Sequence, residues 1–413
     1  MPLSVAVIGA GLAGCEAALR LANKGLNVIL YDQKPNVVTG AYSMHSFAEL
    51  VCNNSLGTWD IDKPLGLLIA ELKRMNSELI GIAMGCAVQD KRYFAINKKL
   101  FSEQVSRKIL GHNNIIFKSE VVSSLPDADI IILASGPMTN EYLLREVARK
   151  YGISSFHFSD SSCTIIDITS IDLDNPCIKK ISDDLYAIVI PSDIFQEFAY
   201  KLEHYYRKDI NKQDAILECQ PIEKIACSGV EKLSDLRFSH QGFPRNCLLL
   251  RREGALDNGY IMVGCMTNLR HSEQMEVFSI LPGFSKMHIL KYGRMHKNTY
   301  FNTPGYINHF FNINKSNIYI IGQLSGLDGY VPAIASGYIA SQRIIYGDIL
   351  LPFPLESMMG SLANYVCNIN VVDYQPMCAS FALIQSKSVI SKSEAAMKAI
   401  NLYKDYISNI DPI

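Results

Sequence analysis

The sequence lacks three patterns that mark large classes of protein. Its 11 cysteines form no Cys-x-x-Cys pair and follow no regular spacing, which argues against a zinc site or a disulfide framework and fits a reducing compartment. No apolar run approaches the roughly 18 residues that a membrane helix needs, and no leader-like segment precedes the first predicted strand. We therefore expect a cytoplasmic protein with no metal site and no membrane span.

An excess of charge of either sign is also absent. The chain has 39 Lys and Arg against 40 Asp and Glu, a formal net charge of −1 at pH 7. A protein that binds nucleic acid through its overall charge would be strongly basic, so any contact with RNA must come from a local patch. The 413 residues, 48% of them hydrophobic, suffice for a large core and for two or more domains.

What the sequence does contain is a dinucleotide-binding pattern at its N-terminus. Residues 4–8 are typical of a buried strand, and a Gly-x-Gly-x-x-Gly turn then opens a helix. In this pattern the first glycine permits a sharp bend, the second lets backbone N–H groups approach a pyrophosphate, and the third lets helix and strand pack closely. An acidic residue ends the second strand, where it would accept ribose hydroxyls. The predicted dinucleotide contacts are Gly9, Ala10, Gly11, Leu12, Ala13, Gly14 and Asp32.

Two later segments extend the same unit. Residues 129–134 form an apolar strand pattern that is stopped by small residues. Residues 317–322 form another, followed by a glycine turn and a predicted helix over residues 331–346. A late strand, turn and helix of this kind closes the cofactor site in FAD enzymes, although an ordinary αβ crossover is the alternative. The additional cofactor contacts predicted here are Gly136, Gly322, Gln323, Asp328 and Gly329.

These patterns predict an α/β protein with a Rossmann-like FAD-binding domain. We expect that domain to comprise residues 1–150 and 312–413, with an inserted α+β substrate domain over residues 151–311, where the pattern becomes irregular. Helices are predicted from Pro64, with Asp62 as a possible cap, and over residues 99–110 and 192–207.

Two cysteine segments are candidates for chemistry. Cys52 is followed by three small polar residues, and Cys219 lies between Glu218 and Pro221. A free cysteine is more often a small buried hydrophobe than a nucleophile, so neither segment identifies a reaction by itself.

Six segments occur together in the order and approximate spacing of one enzyme family. Two of them, Val263-Gly264-Cys265-Met266-Thr267-Asn268-Leu269 and Tyr292-Gly293-Arg294-Met295-His296-Lys297-Asn298-Thr299, are especially similar to that family. The combination resembles TrmFO, the folate- and FAD-dependent tRNA uracil-5-methyltransferases, whose superfamily includes GidA (MnmG). The six segments are residues 9–14, 47–56, 219–223, 262–274, 292–299 and 322–337.

The resemblance implies reductive methylation of uracil C5 in a T-loop uridine of tRNA, which yields 5-methyluridine. FAD is the implied cofactor, 5,10-methylenetetrahydrofolate the one-carbon donor, and NADH or NADPH the reductant. By resemblance, Cys219 adds to uracil C6 and so makes C5 nucleophilic, and Cys52 matches the second functional cysteine of the family. The target base must leave its stack to react, which favours a loop uridine. We expect no obligate protein partner.

A basic stretch provides the local patch for RNA. Residues 286–297 contain lysine, arginine and histidine but no acidic residue. A cluster of this kind can hold phosphates, although a solvated face is the alternative. Within the segment that resembles the family, the predicted RNA contacts are Arg294, His296 and Lys297. Arg245, Arg251 and Arg252 are further cations that could add to the patch.

The chain departs from the family pattern at several positions. Glu218 stands where the family has glycine, Gly57 replaces a basic residue, and Asp328 replaces a glutamate. Cys378 begins a stretch that replaces asparagine-bearing residues, and the basic segment at residues 239–244 is reduced. Because these changes fall where RNA or folate would bind, a 23S rRNA uridine is the alternative target. GidA-type wobble-uridine modification and a non-catalytic flavin-containing RNA-binding protein are further alternatives.

Overall fold

The computed structural model describes residues 3–36, 44–88, 93–207, 220–253, 258–371 and 374–384, together with Lys398, Asn401 and Tyr406. Strands and helices alternate in the N-terminal part. Its strands are β1 (Ser4–Ile8), β2 (Asn27–Asp32), β3 (Ser55–Thr58), β4 (Tyr93–Ala95), β5 (Ile115–Ser119) and β6 (Ile130–Leu133). Its helices are α1 (Leu12–Asn23), α2 (Pro64–Arg74), α3 (Glu78–Gly85), α4 (Lys98–Leu110) and α5 (Glu141–Tyr151).

The middle of the chain is richer in strands. They are β7 (Ser155–Ser161), β8 (Cys163–Asp167), β9 (Ile178–Ser182), β10 (Leu185–Val189), β11 (Cys247–Arg252), β12 (Gly259–Met266), β13 (Ile289–Lys291) and β14 (Met295–Phe301). The helices here are α6 (Ser192–His204), α7 (Ile222–Ala226), α8 (Val230–Leu233) and α9 (His271–Phe278). The C-terminal part adds β15 (Ile318–Ile320), α10 (Tyr330–Tyr346) and α11 (Met358–Cys367).

Five parallel strands form the first sheet, in the order β15-β6-β1-β2-β5. The central strand β1 is apolar and buried from Val5 to Ile8 because helices cover both faces of a parallel sheet of this kind. Strand β15 pairs with β6, with Ile318 opposite Ile131, so both ends of the chain contribute to one sheet. The predicted Rossmann-like α/β fold is therefore confirmed, and the late strand completes the first sheet.

Helices α1 and α10 pack against each other beside this sheet. Their approach is so close that a Cβ on Gly337 would lie 2.2 Å from the carbonyl oxygen of Ala13. Small buried residues such as Ala17 and Ala18 keep the facing surface of α1 flat. The two ends of the chain are thus joined by backbone contact between helices as well as by the sheet.

The second sheet is antiparallel and six-stranded, in the order β13-β8-β12-β11-β10-β9. An aromatic cluster lies beside it, with the ring centroids of Phe195 and Phe238 5.3 Å apart and those of Phe198 and Phe278 6.1 Å apart. These strands form one continuous sheet although the sequence pattern here is irregular. Register shifts in several strand pairs account for the irregular pattern, because they interrupt the alternation of apolar and polar residues by which strands are predicted from sequence. The exact division at residues 151–311 stays a prediction.

Two details of the predicted helices are wrong. Helix α2 does begin at Pro64, but its N-cap is Lys63 and not Asp62. Proline with its fixed φ occupies the first helical position, so the cap falls on the residue directly before it. Helix α6 ends at His204, before the predicted residue 207, and Arg207 forms an ion pair with Glu273 beyond the helix.

Substitution Gly337→Ala tests the contact between α1 and α10. The added methyl group has to displace backbone, so we expect a loss of about 1–3 kcal/mol in the free energy of unfolding. Gly81→Ala is the matched control, because Gly81 lies in α3 and, apart from its chain neighbours and the nearby backbone of its own helix, no described atom lies within 4 Å of its Cβ position, where alanine favours helix. Urea denaturation of both variants measures the difference, and equal stabilities would contradict the close packing.

Candidate functional site

One cavity of about 740 Å³ lies at the carboxyl edge of the parallel sheet. In open α/β sheets ligands bind at this edge, and the volume lies in the range of small-molecule and cofactor sites. Cys52 lines the cavity, as do all the predicted cofactor contacts except Gly14. Those contacts are Gly9, Ala10, Gly11, Leu12, Ala13, Asp32, Gly136, Gly322, Gln323, Asp328 and Gly329.

The three glycines of the N-terminal turn have different surroundings. A Cβ on Gly9, whose φ is +109°, would lie 2.4 Å from the carbonyl oxygen of Ala134. A Cβ on Gly14 would lie 1.9 Å from the carbonyl oxygen of Gly9. Apart from its chain neighbours, no described atom comes within 4 Å of the Cβ position of Gly11. Gly9 and Gly14 thus permit close packing, while Gly11 leaves its backbone open to the cavity.

Two helices begin at the cavity wall. Gly11 is the N-cap of α1 and Gly329 that of α10, and within the described part of the chain no side chain caps either end. The first N–H groups of a helix lack intrahelical acceptors and carry partial positive charge. The cavity therefore offers two sets of N–H donors to an anionic or electron-rich group.

Asp32 connects the glycine turn to the next segment. Its Oδ2 accepts a hydrogen bond of 2.7 Å from the Ala10 N–H, and its Oδ1 accepts one of 2.9 Å from the Lys34 N–H. A carboxylate has about four lone-pair sites, so these bonds leave capacity for the hydroxyls predicted from the sequence. Lys34 in turn forms a buried ion pair with Glu49, with Nζ 3.0 Å from Oε2.

Cys52 is held at the start of α10. Its backbone N–H donates a hydrogen bond of 2.6 Å to the Tyr330 hydroxyl, which also accepts one of 3.2 Å from the Asn53 N–H. Asn54 is fully buried, and its Nδ2 donates to the carbonyl oxygen of Arg252 at 2.6 Å. The small polar residues after Cys52 therefore fasten its loop to α10 and to β11 of the antiparallel sheet.

Burial distinguishes the described cysteines. Cys15 and Cys265 are fully buried, and burial raises the pKa of each thiol well above its usual value. Burial likewise raises the pKa of Cys247 to about 11. Thiols of this kind stay protonated at neutral pH and are poor nucleophiles. Among the described cysteines, Cys52, Cys163 and Cys378 line the cavity, and only the first of these was predicted there.

The middle of the chain supplies another wall of the cavity. Arg251 and Met266 line it from the antiparallel sheet, and Asn298 lines it from β14. Arg251 lies over the ring of Tyr93, with its guanidinium carbon 4.9 Å from the ring centroid. Arg252 is directed elsewhere and pairs with Asp184 at 3.6 Å. The cavity is thus bounded by residues from both predicted domains.

Of the predicted RNA contacts, Arg294 is not among the residues that line the cavity. Arg294 is exposed, and its backbone N–H donates to the Ser162 hydroxyl at 3.1 Å. The backbones of His296 and Lys297 belong to β14, while their side chains lie outside the described structure. Lys291 of the same basic stretch is partly buried; burial lowers the pKa of its ammonium group, and the nearby Lys98 lowers it further. That residue is therefore a poor candidate for a solvated phosphate contact.

Cys219 and Glu218 lie outside the described residues, so the role of Cys219 stays a prediction. The described residues include no group of three or more His, Cys, Asp or Glu side chains arranged to hold a metal ion. Nor do they include a helix with the length and apolarity needed to cross a bilayer.

Sequence reasoning missed several lining residues. Tyr330, Met266 and Asn298 fall within the segments that resemble TrmFO, so that likeness was the available signal. No sequence pattern marked Tyr93 as a cavity residue, because its position follows from the pairing of β3 with β4, in which it lies opposite Thr58. Gly57 also lines the cavity with a φ of +136°, and a Cβ there would lie 2.9 Å from Leu65 Cβ. This backbone disfavours the basic side chain that the family has there.

Comparison with known proteins identifies the family. The family profile described as glucose inhibited division protein A matches residues 4–345. A methylenetetrahydrofolate–tRNA-(uracil-5-)-methyltransferase TrmFO of Lactobacillus delbrueckii subsp. bulgaricus is 33% identical over 416 residues, 95% of each chain. The TrmFO of Bacillus subtilis is 32% identical, covering 95% of this chain and 94% of its own length. TrmFO 2 of Mycoplasma mycoides subsp. mycoides is 32% identical over 100% of this chain and 99% of its own.

The structure of Aquifex aeolicus GidA superimposes with a TM-score of 0.71 at 15% identity, over 98% of this chain and 74% of that one, and supports the fold alone. Together, the profile match and the full-length identity mean that this chain belongs to the GidA family and, within it, to the TrmFO group.

Proposed function

We propose that this protein is a FAD- and methylenetetrahydrofolate-dependent tRNA uracil-5-methyltransferase that forms 5-methyluridine in the T-loop. One observation carries the proposal. The cavity combines the glycine turn with Cys52, in a chain 33% identical to a TrmFO over 95% of its length. NADH or NADPH is the proposed reductant and the cytoplasm the proposed location.

The residues of the cavity fit FAD. The open backbone at Gly11 and the uncapped start of α1 suit its pyrophosphate, and Asp32 suits the adenosine ribose. The start of α10 at Gly329 offers N–H donors to the electron-rich edge of the flavin ring system. When bound, FAD supplies the redox chemistry that methyl transfer from this folate requires.

The protein itself has to activate the base. Uracil C5 is a poor nucleophile until a group adds at C6, and a thiolate is suited to this because sulfur both attacks and leaves readily. We assign this addition to Cys219. Once the one-carbon unit derived from methylenetetrahydrofolate is bonded to C5, Cys52, fastened by Tyr330 at the start of α10, removes the C5 proton, and elimination of the Cys219 thiolate from C6 restores the C5=C6 double bond. Arg294, His296 and Lys297 are the proposed RNA contacts.

The direct test supplies labelled methylenetetrahydrofolate, NADH and the purified flavoprotein with tRNA lacking the modification. Label in tRNA that depends on the reductant and is indifferent to S-adenosylmethionine is the expected result. A 23S rRNA transcript is the parallel substrate. Label in rRNA alone would overturn the tRNA assignment while leaving the chemistry in place, and label in neither RNA would overturn the proposed activity.

Substitution Cys52→Ala tests the role of the cavity thiol. We expect methyl transfer to fall by roughly 10²- to 10⁴-fold, the range for loss of a general acid or base, with flavin absorbance retained. Cys177→Ala is the matched control, since Cys177 is also half-buried but does not line the cavity. Single-turnover rates measure the effect, and a Cys52→Ala rate equal to that of the control would remove Cys52 from the reaction.

Substitution Asp32→Ala tests the FAD assignment. Two hydrogen bonds from backbone N–H groups to a carboxylate are lost and the turn loosens, so we expect FAD to bind about 10- to 100-fold more weakly. Asp235→Ala is the control, because Asp235 is exposed and pairs with Arg245 away from the cavity. Titration of the apoprotein with FAD gives both affinities. Unchanged affinity in the Asp32 variant would contradict its place in the cofactor site.

A further inference from the structure

We infer that the RNA substrate docks with an unpaired base stacked on His271 and with the flanking phosphates on Arg270 and Arg294. This deepens the proposed function and rests on it. The surface consists of these three residues and Tyr292, and we call it the His271 patch. It adds an aromatic contact and a second described arginine to the RNA contacts proposed above.

The patch is built on a stacked pair of rings. The ring centroids of His271 and Tyr292 are 3.9 Å apart, with 13° between the ring planes. Tyr292 packs against the core beside the antiparallel sheet, whereas His271 is exposed. One face of the imidazole is therefore covered by Tyr292, and the other is open to solvent. An exposed aromatic face on a supported ring is a platform on which unpaired bases stack.

A buried glutamine holds the two segments of the patch together. Gln274 donates from Nε2 to the carbonyl oxygens of Leu269 and Gly293, at 2.7 and 2.9 Å. Its Oε1 accepts a hydrogen bond of 2.9 Å from the Gly293 N–H. Arg270 and Arg294 directly follow the two bonded residues, so their backbones lie side by side. The patch is thus a preformed surface, as recognition of a defined ligand requires.

The two arginines give the patch its positive charge. Arg270 and Arg294 are exposed, and within the described part of the chain neither forms an ion pair. The backbone of Arg294 is fixed by Ser162, whose hydroxyl accepts from the Arg294 N–H and whose own N–H donates to the Arg294 carbonyl oxygen at 2.8 Å. Each arginine therefore presents its guanidinium to solvent from a fixed backbone, which suits a contact with RNA phosphate.

The described carboxylates around the patch are engaged with other groups. Glu273 accepts a hydrogen bond of 2.8 Å from the Arg270 N–H, and its charge is matched by an ion pair with Arg207. Glu223 is buried and accepts two hydrogen bonds from the loop before α9. Glu276, on the next turn of α9, pairs with a lysine of α6. The two guanidinium groups are therefore left to attract an anionic ligand.

The patch lies close to the cavity. Met266, four residues before Arg270, lines the cavity, and so does Asn298, four residues after Arg294. Four residues of chain span at most about 14 Å. A target base inside the cavity and a neighbouring base on the patch can therefore belong to the same RNA loop.

An unpaired stretch of RNA fits this surface better than the alternatives do. In a duplex the faces of the bases are covered by their neighbours, so the imidazole would gain no stacking partner. An acidic protein segment would pair with the arginines but would leave the ring face unused. A loop of RNA supplies exposed base faces and phosphates together, which is what the ring and the two arginines offer to bind.

The experiment measures the affinity of the FAD-loaded protein for two RNAs by fluorescence anisotropy, at pH 8 and several salt concentrations. One is the T-arm stem-loop with the target uridine, and the other is a blunt duplex with the sequence of its stem. Wild type is expected to bind the stem-loop more tightly. His271→Ala should weaken stem-loop binding about 5- to 100-fold, the effect of losing one stacked base, and leave duplex binding within about twofold.

The other patch variants separate stacking from charge. Arg270→Gln and Arg294→Gln should weaken both RNAs alike, and each should reduce the slope of log affinity against log salt by about 0.7–0.9. His271→Ala should leave that slope unchanged. His271→Phe, which keeps an aromatic face, should recover the stem-loop affinity to within about threefold of wild type.

His204→Ala and Arg145→Gln are the matched controls. His204 is an exposed histidine of α6 that stacks with Tyr200, and Arg145 is an exposed arginine of α5 that pairs with Glu141. Neither belongs to the patch, so both variants should bind each RNA within about twofold of wild type. Flavin absorbance per mole of protein checks that every variant retains its cofactor.

Four outcomes would overturn the inference. Equal affinity of wild type for the stem-loop and the duplex would show that no unpaired base is recognised. Equal weakening of both RNAs by His271→Ala, with no recovery in His271→Phe, would mean that His271 only supports the arginines. Unchanged binding in all patch variants, with normal methyl transfer by wild type, would remove the patch and leave the proposed function in place. Failure of wild type to bind either RNA would overturn the proposed function on tRNA, and the patch with it.

Discussion

The structure depends on backbone-to-backbone contact at the junction of strand, turn and helix. Gly14 leaves no room for a Cβ against the carbonyl oxygen of Gly9, and Gly337 leaves none against that of Ala13. Through these two contacts, α1 packs onto the glycine turn that precedes it, and α10 packs onto α1. The consequence is that two helix N-termini, 318 positions apart at Gly11 and Gly329, open onto the same cavity. A side chain at either contact would separate the two sets of N–H donors that make the site suitable for a dinucleotide.

Buried polar contacts fix the position of the antiparallel sheet relative to the N-terminal part of the chain. Lys98 and Glu253 form an ion pair that is almost fully enclosed, and Asn54 donates to the backbone next to it. A buried ion pair is weak evidence for stability, because desolvation offsets most of the attraction. Its geometry is specific, however, since an alternative docking would leave a charge unpaired. These contacts explain how a cavity wall from the middle of the chain keeps a defined position against the glycine turn.

Burial also decides which cysteines are available for chemistry. The chain has 11, and sequence patterns alone do not rank them. In the structure, Cys15 and Cys265 lie in packed cores where burial disfavours the thiolate, whereas Cys52 lies at the cavity beside the start of α10. The same residue type therefore fills a packed core in one place and lines the cavity as a candidate reagent in another.

The local pattern of the sequence was enough to determine the parallel sheet and its nucleotide turn, because strand hydrophobicity and glycine spacing act over a few residues. The late strand at residues 318–320 was also predictable, and so was the gathering of Asp32 and Gly329 at one edge. Only the tertiary structure decided which residues of the antiparallel sheet face the cavity. Arg251 and Tyr93 meet across 158 positions of chain, and such a contact follows from strand register and domain docking, which no local pattern encodes.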